Sequence, residues 1–276
     1  MYHRDLLEIT RPRPSDAAGL VYESGEVKDG LILSGKTLSA ASGETYEVKN
    51  GYLDLLKNRV GADNVANLTN FLPGAGRSYE PLWRVRSLNL LTGEDFSNER
   101  ELGMVSDLIE SKRGGRYLDL GCSAGLYARS LARKLGAEGH VVGIDIAPGM
   151  LREAARRARR ASARLSLARA DAENLPYADA SFSGVVCGGT LNEIGDPARA
   201  LRETRRVLSP GGRLAVMGLL KASTLRGRRL QRLLSTGGIK FFEPDELVSM
   251  LDHAGFDPDP LRVHGPVVFA GATRRG

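Results

Sequence analysis

The sequence predicts an α/β protein in which a mainly parallel sheet, covered by helices on both faces, fills residues 111–276 behind a small β-rich unit. Three observations predict it. From about residue 115, short β-branched runs alternate with segments whose apolar residues recur at helical spacing, the pattern of strands that must cross over a helix to pair in parallel. The first of those strands, RYLDL, runs directly into a glycine turn, GCSAG, and then a helix. Residues 1–57 have a different texture, with β-prone runs such as GLILSGKTLSA and TYEVKNGYLDLL broken by Gly, Ser and Asn.

Each element follows from its own pattern. Residues 58–110 place Leu, Val, Trp and Ile at helical spacings around the breaker PGAG, and read as a helical lead-in suited to a lid. Beyond it the strands are RYLDL, HVVGIDI, LSLARA, FSGVVCG and RLAVMGLL. Helices run to about Leu135, from Pro148 and from Pro197. The last of these carries its own punctuation, with Asp196 as N-cap, Pro197 in the first helical position and glycines past the end. EPDELVSMLDHAGF reads as one more helix, and DPLRVHGPVVFAGATR as two strands that pair antiparallel across a tight Gly265-Pro266 turn.

Composition sets bounds. A chain of 276 residues with 42% hydrophobic content can bury a large core. The charge of +6 comes from 39 Lys and Arg against 33 Asp and Glu, a mild excess spread along the chain that solvated faces explain. Cys122 and Cys187 cannot make a disulfide framework, and MYHRDLLEITRPRP lacks the apolar run of a signal peptide, so a cytoplasmic location is expected. No uncharged apolar stretch approaches the roughly 20 residues of a membrane-spanning helix.

The loop from Gly121 to Gly125 fits two incompatible chemistries. As G-x-S-x-G it is the nucleophile elbow of a serine hydrolase, with Ser123 attacking. An elbow normally follows several strands and an oxyanion loop. Here the motif sits on the first strand of the α/β region with no HGGG-type stretch before it, and only His253 and His264 lie where a triad partner could arise. As a strand, turn and helix it is a cofactor loop, in which glycines bring backbone N–H groups close to a ligand. Twenty residues after Gly125, Asp145 ends the next strand, where a carboxylate can accept from both hydroxyls of a ribose. A ligand-free turn beside a solvated acid is the plainer alternative. A dinucleotide loop needs a glycine where Ser123 stands, and Asp119, two positions ahead of Gly121, would oppose a phosphate while suiting a cationic amino group. Those properties fit S-adenosylmethionine.

YLDLGCSAG, VVGIDIAPGML, ARADAENLPYADASFSGVVC and ALRETRRVLSPGGRLAV resemble the successive motifs of class I S-adenosylmethionine-dependent methyltransferases, particularly the methyltransferase type 11 group related to ubiquinone and menaquinone biosynthesis. The resemblance covers about residues 115–220. It implies a Rossmann-like seven-stranded sheet with its last strand antiparallel. It also implies that Gly121, Ser123 and Gly125 line the methionine part of the cofactor while Asp119 supports the loop. Asp145 would hold the ribose, Ile146 and Met150 would flank the adenine, and Asp171 and Ala172 would edge it. Gly188 and Gly189 would lie under the methionine moiety. On their own patterns Ile146 and Met150 are equally plain core, Asp171 a turn cap and Cys122 a small buried filler.

In the order of its elements the N-terminal unit is similar to a zinc-ribbon-like segment that precedes the methyltransferase domain in some relatives, including bacterial guanine-methylating ribosomal RNA enzymes and plastid and bacterial quinone-methyltransferase-like proteins. Here it has no cysteine, so four-thiolate zinc binding is impossible and no metal is expected. YEPLWR, Tyr79 to Arg84, resembles a stretch of the quinone-like group and tilts the reading toward a small-molecule acceptor.

Methyl transfer to carbon or oxygen also needs a proton removed. Glu193, in GGTLNEIGDP after the fourth strand, is the candidate base, ahead of His253 and His264, and it fits an exposed loop acid equally well. Seven arginines between Arg152 and Arg169 read as the solvated side of a helix whose Leu151 and alanines face the sheet. KASTLRGRRLQR, with Leu225, Leu230, Leu233 and Leu234, suits a helix that meets a lipid headgroup surface. The expected acceptor is a small, largely apolar metabolite of quinone, polyketide or isoprenoid type. Ribosomal RNA is the alternative, disfavoured by an aromatic content of 6%.

Overall fold

Strand β6 (Arg116–Leu120) is buried on both faces after its first residue, which is the burial of a central parallel strand and sets the middle of the sheet. The structure is a computed structural model and describes residues 1–57, 89, 94, 96–111 and 114–276. On one side of β6 lie β7 (His140–Asp145) and β8 (Ser166–Arg169). On the other lie β9 (Phe182–Gly188), β10 (Leu208–Leu219), β13 (Val267–Arg274) and β11 (Phe256–Pro258), in the order β8-β7-β6-β9-β10-β13-β11. The first five pair in parallel, and β13 runs antiparallel to β10 with Ala215 opposite Gly271. This is the seven-stranded sheet with an antiparallel last strand that the motifs imply. β12 (Arg262–His264) forms a hairpin with β13 around Gly265-Pro266, as the sequence predicts.

Helices cover both faces. Leu126–Leu135 (α2) and Pro148–Arg160 (α3) pack on one face with Asn98–Ile109 (α1). Pro197–Val207 (α4) and Pro244–His253 (α6) pack on the other, and Leu225–Ser235 (α5) follows the end of β10. Asp196 caps α4 by accepting from the Arg199 N–H at 2.9 Å. Leu151, Ala154, Ala155 and Ala158 of α3 face the sheet, which leaves most of the arginines around them outside. Arg169 is the exception: it sits on β8 and is buried, so it does not belong to a solvated face. The predicted helix through Phe256 stops at His253, because Gly255 turns the chain at a φ of +88° and Phe256 begins β11.

The N-terminal unit continues this sheet. β2 (Leu20–Lys28), β3 (Leu31–Ser39), β4 (Thr45–Lys49) and β5 (Tyr52–Asp54) form a meander, and β1 (Tyr2–His3) pairs with β3. Its tightest turns are Asp29-Gly30 and Asn50-Gly51, with φ positive at both residues of each pair, as hairpin turns matching strand twist require. β5 then pairs in parallel with β8, Leu53 opposite Ala168 and Asp54 opposite Arg169. Tyr2, Leu6, Ile32 and Leu53 therefore share one core with Leu118, Ile144 and Val185. Of the predicted lead-in, the described part is mainly the helix α1, capped by Ser97; YEPLWR lies outside the described residues.

Candidate functional site

β7, β6 and β9 are neighbours that end, on the same edge of the sheet, at Asp145, Leu120 and Gly188. The strand order reverses at β6, so the chain leaves for opposite faces of the sheet on either side of it and a crevice opens at these ends. The loop from Gly121 to Gly125 lies there. Gly121 and Gly125 have φ of +68° and +78°, and Ser123 is held at +48°, where a side chain is disfavoured. Three backbone N–H donors fix it: Cys122 to the Ile144 carbonyl at 2.7 Å, Gly125 to the Cys122 carbonyl at 2.7 Å, and Ser123 to the side-chain Oδ2 of Asp145 at 2.8 Å. A Cβ on Gly121 would lie 2.2 Å from Thr190 Oγ1, so the glycine admits the loop that follows β9.

The acids divide the work. Asp119 is buried and its Oδ2 accepts from the Ala128 N–H at 2.8 Å, tying the end of β6 to the first turn of α2. Asp145 accepts the Ser123 N–H on Oδ2 and the Ala147 N–H on Oδ1, each at 2.8 Å. Burial pushes its carboxyl above the ordinary carboxylate range, while backbone donors from Ala147, Ser123 and Ile146 pull it back. An ionised carboxylate has about four lone-pair sites, so capacity remains for further donors. Asp171 Oδ1 accepts from the Glu173 N–H at 2.9 Å, which is the turn-capping role, and Ala172 beside it is buried.

Ile146 is half-buried beside Asp145, and its carbonyl accepts from Arg169 Nε at 3.1 Å. Met150 is buried, with its sulfur 3.4 Å from Ser123 Oγ. The Ser123 hydroxyl is thus directed at a thioether and away from the imidazole that an elbow requires. Gly188 ends β9 and Gly189 follows it, and a Cβ on Gly188 would lie 1.9 Å from Cε2 of Tyr127. Glu193 closes the short 3-10 turn Thr190–Asn192, half-buried, its N–H bonded to the Thr190 carbonyl at 2.9 Å. The two histidines separate. His264 precedes Val267, which pairs with Leu219 on the crevice edge, whereas His253 ends α6 before β11 starts opposite Arg274, on the far edge. Burial, with Asp119 and Asp145 next, pushes the Cys122 thiol well up, so it is a filler and not a nucleophile.

The family model for the methyltransferase domain matches residues 118–216, the span from β6 through most of β10. Over that span the chain carries a methyltransferase domain. In Nostoc punctiforme a 2-phytyl-1,4-naphtoquinone methyltransferase is 35% identical over 125 residues, 45% of this chain and 54% of that protein. A demethylmenaquinone methyltransferase of Listeria welshimeri is 35% identical over 109 residues, 39% of this chain and 46% of that protein. The chain therefore spans about half the length of such curated relatives. Its fold is also that of phosphoethanolamine N-methyltransferase 2 of Haemonchus contortus, solved with S-adenosyl-L-methionine. There the TM-score is 0.58 at 16% identity, over 73% of this chain and 60% of that one.

The methyltransferase domain uses residues that no motif marked. Thr190 donates from Oγ1 to the Gly121 carbonyl at 3.2 Å and joins the two loops of the crevice. Tyr127 packs beneath Gly188 and donates its hydroxyl to Glu101 of α1, a buried carboxylate on a helix that precedes the domain. Asn192 is fully satisfied, donating to the carbonyls of Leu219 (3.0 Å) and Lys240 (2.7 Å) and accepting from the Leu219 N–H (2.9 Å). It fixes the loop after β9 to the segment 221–242. A polar residue three positions after a glycine pair was the only sequence signal for it.

Proposed function

We propose that this chain is a cytoplasmic S-adenosylmethionine-dependent methyltransferase acting on a small, largely apolar acceptor of quinone, polyketide or isoprenoid type. The observation that carries the reading is the cradle at the crevice, where Gly121, Ser123 and Gly125 turn the chain beside Asp145 and no side chain projects from Gly121 or Gly188. The donor and acceptor set fits the cofactor: a carboxylate with spare acceptor capacity for ribose hydroxyls and a buried acid at Asp119, while the loop itself holds no cation and the neighbouring Arg129 donates to the Ala124 carbonyl. Bound there, the cofactor would supply an electrophilic methyl group on a sulfonium.

The chain's own part is alignment and exclusion of water. Asp145 would hold the ribose and Ile146 and Met150 would bound the adenine, with Asp171 and Ala172 at its edge. Gly121, Ser123, Gly125, Gly188 and Gly189 would leave room for the methionine portion. Glu193, on the loop that Thr190 and Asn192 anchor, is the residue we assign to hold the acceptor's proton. The quinone-type acceptor is supported by the activities for which the Nostoc and Listeria relatives are named.

Titration calorimetry with the demethylated cofactor should show one site, and Asp145→Ala should weaken it by the bonds to a charged acceptor, about 1.5 to 3 kcal/mol, or roughly 10- to 150-fold. Unchanged affinity in the variant would remove Asp145 from the site. Labelled methyl transfer into fractionated extract tests the acceptor: label in the organic phase supports the reading, and label only in RNA, falling steeply with salt, overturns it.

A further inference from the structure

Helix α5 is built inside out. Among its described side chains the one buried is Gln231, whose Nε2 donates to the Leu220 carbonyl at 2.9 Å and whose Oε1 accepts from the Ala222 N–H at 2.8 Å. The leucines face away: Leu225 is 80% exposed, Leu233 68%, Leu230 53% and Leu234 39%. Four of the six large apolar side chains exposed among the described residues belong to this one helix. Spaced as they are, the four leucines cover about half the circumference of the helix, with Arg229 among them and Arg232 at one border. Leu225–Ser235 contains four arginines and no acid.

We infer that α5 is a docking helix for an anionic phospholipid surface. A soluble helix has no reason to spend its polar residue inward and its leucines outward, and an arc of leucine rimmed by arginine is the pattern that lies in a headgroup layer. Charge decides against a second copy as the occupant. Self-pairing through α5 would set arginines against arginines with no acid on the helix to answer them, whereas an anionic surface answers each one. Gln231 fixes the helix to the end of β10, on the edge where β6, β7 and β9 open, so the docked face lies beside the crevice. An apolar acceptor held in a bilayer would reach the protein at this edge. The inference concerns the surface and stands independently of the cofactor assignment.

The test is flotation with vesicles of phosphatidylglycerol and phosphatidylcholine against phosphatidylcholine alone, with the full chain. The native protein should float with the anionic vesicles and much less with the neutral ones. Leu225→Glu with Leu233→Glu should reduce binding about tenfold or more, and Arg229→Gln with Arg232→Gln should weaken it and flatten its salt dependence. Val21→Glu, a comparably exposed apolar site on strand β2, should change nothing. Unaltered circular dichroism and melting temperature in each variant show that folding is intact. No flotation of the native protein, or flotation indifferent to the leucine variant, overturns the proposal. So does light scattering that finds a dimer lost in that variant, which would make a second copy the occupant.

Discussion

Adding one methyl group at Gly188 should unseat the aromatic ring that supports the crevice floor. The backbone there is ordinary, so the cost of Gly188→Ala is steric: the new Cβ would meet Tyr127 Cε2 at 1.9 Å and Cδ2 and Cζ at 2.9 Å, against a carbon contact of about 3.5–4.0 Å. Tyr127 cannot slide aside freely, because its hydroxyl is bonded to the buried Glu101. Overpacking of this kind costs about 1–3 kcal/mol, and losing a hydrogen bond to a carboxylate about 1.5–3 more, so the variant should lose about 2.5–6 kcal/mol in urea unfolding. Tyr127→Ala alone should cost about 3–5 kcal/mol. The double variant should then fall short of the sum by at least about 1 kcal/mol, because the second change removes what the first collides with. A Gly188→Ala protein within about 0.5 kcal/mol of the parent, or strict additivity in the cycle, would refute this account of the floor.

Three other changes probe the same architecture. Ser123→Ala should keep affinity for the demethylated cofactor within about tenfold, since the backbone N–H that reaches Asp145 remains; ester hydrolysis that vanishes with Ser123 would reinstate the elbow. Arg169→Leu should cost about 3 kcal/mol in urea unfolding by leaving Asp54 without its buried partner, and a stability equal to the parent's would show the pair to be idle. Acidification should lower the melting temperature between about pH 7 and 5, because burial holds His3 and His140 below the usual 6.5, against the opposing pull of Asp5, so the unfolded chain takes up protons the folded one refuses. His140→Gln should flatten that slope, and an unchanged slope would count against the pair.

How much of this was legible depended on how local the cause was. The glycine loop, Asp145 and the Asp196 cap were readable because a turn, a strand end and a helix start each leave a mark within a few residues. Asp171 was readable as a turn cap for the same reason. Thr190, Tyr127 and Asn192 were not, since their partners Gly121, Glu101 and Lys240 lie 69, 26 and 48 positions away and nothing adjacent announces the contact. The helix through Phe256 was overextended because Gly255 is the sole local signal of the break. The candidate bases His253 and His264 could not be ranked by spacing, and strand register alone sets them on opposite edges.

The least legible feature was the bond between the cysteine-free N-terminal unit and the site. A four-residue pairing of β5 with β8 is a short seam for so many added strands, and Arg169 reinforces it from within. Its Nη1 lies 3.5 Å from Asp54 Oδ1 and donates to the Lys57 carbonyl, while the Leu55 N–H reaches its own carbonyl at 3.1 Å. Its Nε donates to the carbonyl of Ile146, the residue after Asp145. One buried guanidinium thus spans the seam and ends one peptide from the acid we assign to the ribose. Strain at the seam therefore has a covalent and hydrogen-bonded route to the loop that Ser123 and Ala147 close around Asp145. Loss of the N-terminal strands would cost more than the apolar area they cover: it would strip the edge of β8, take the Asp54 and Lys57 partners from Arg169, and loosen the Ile146–Ala147 peptide whose N–H bonds the Asp145 carboxylate.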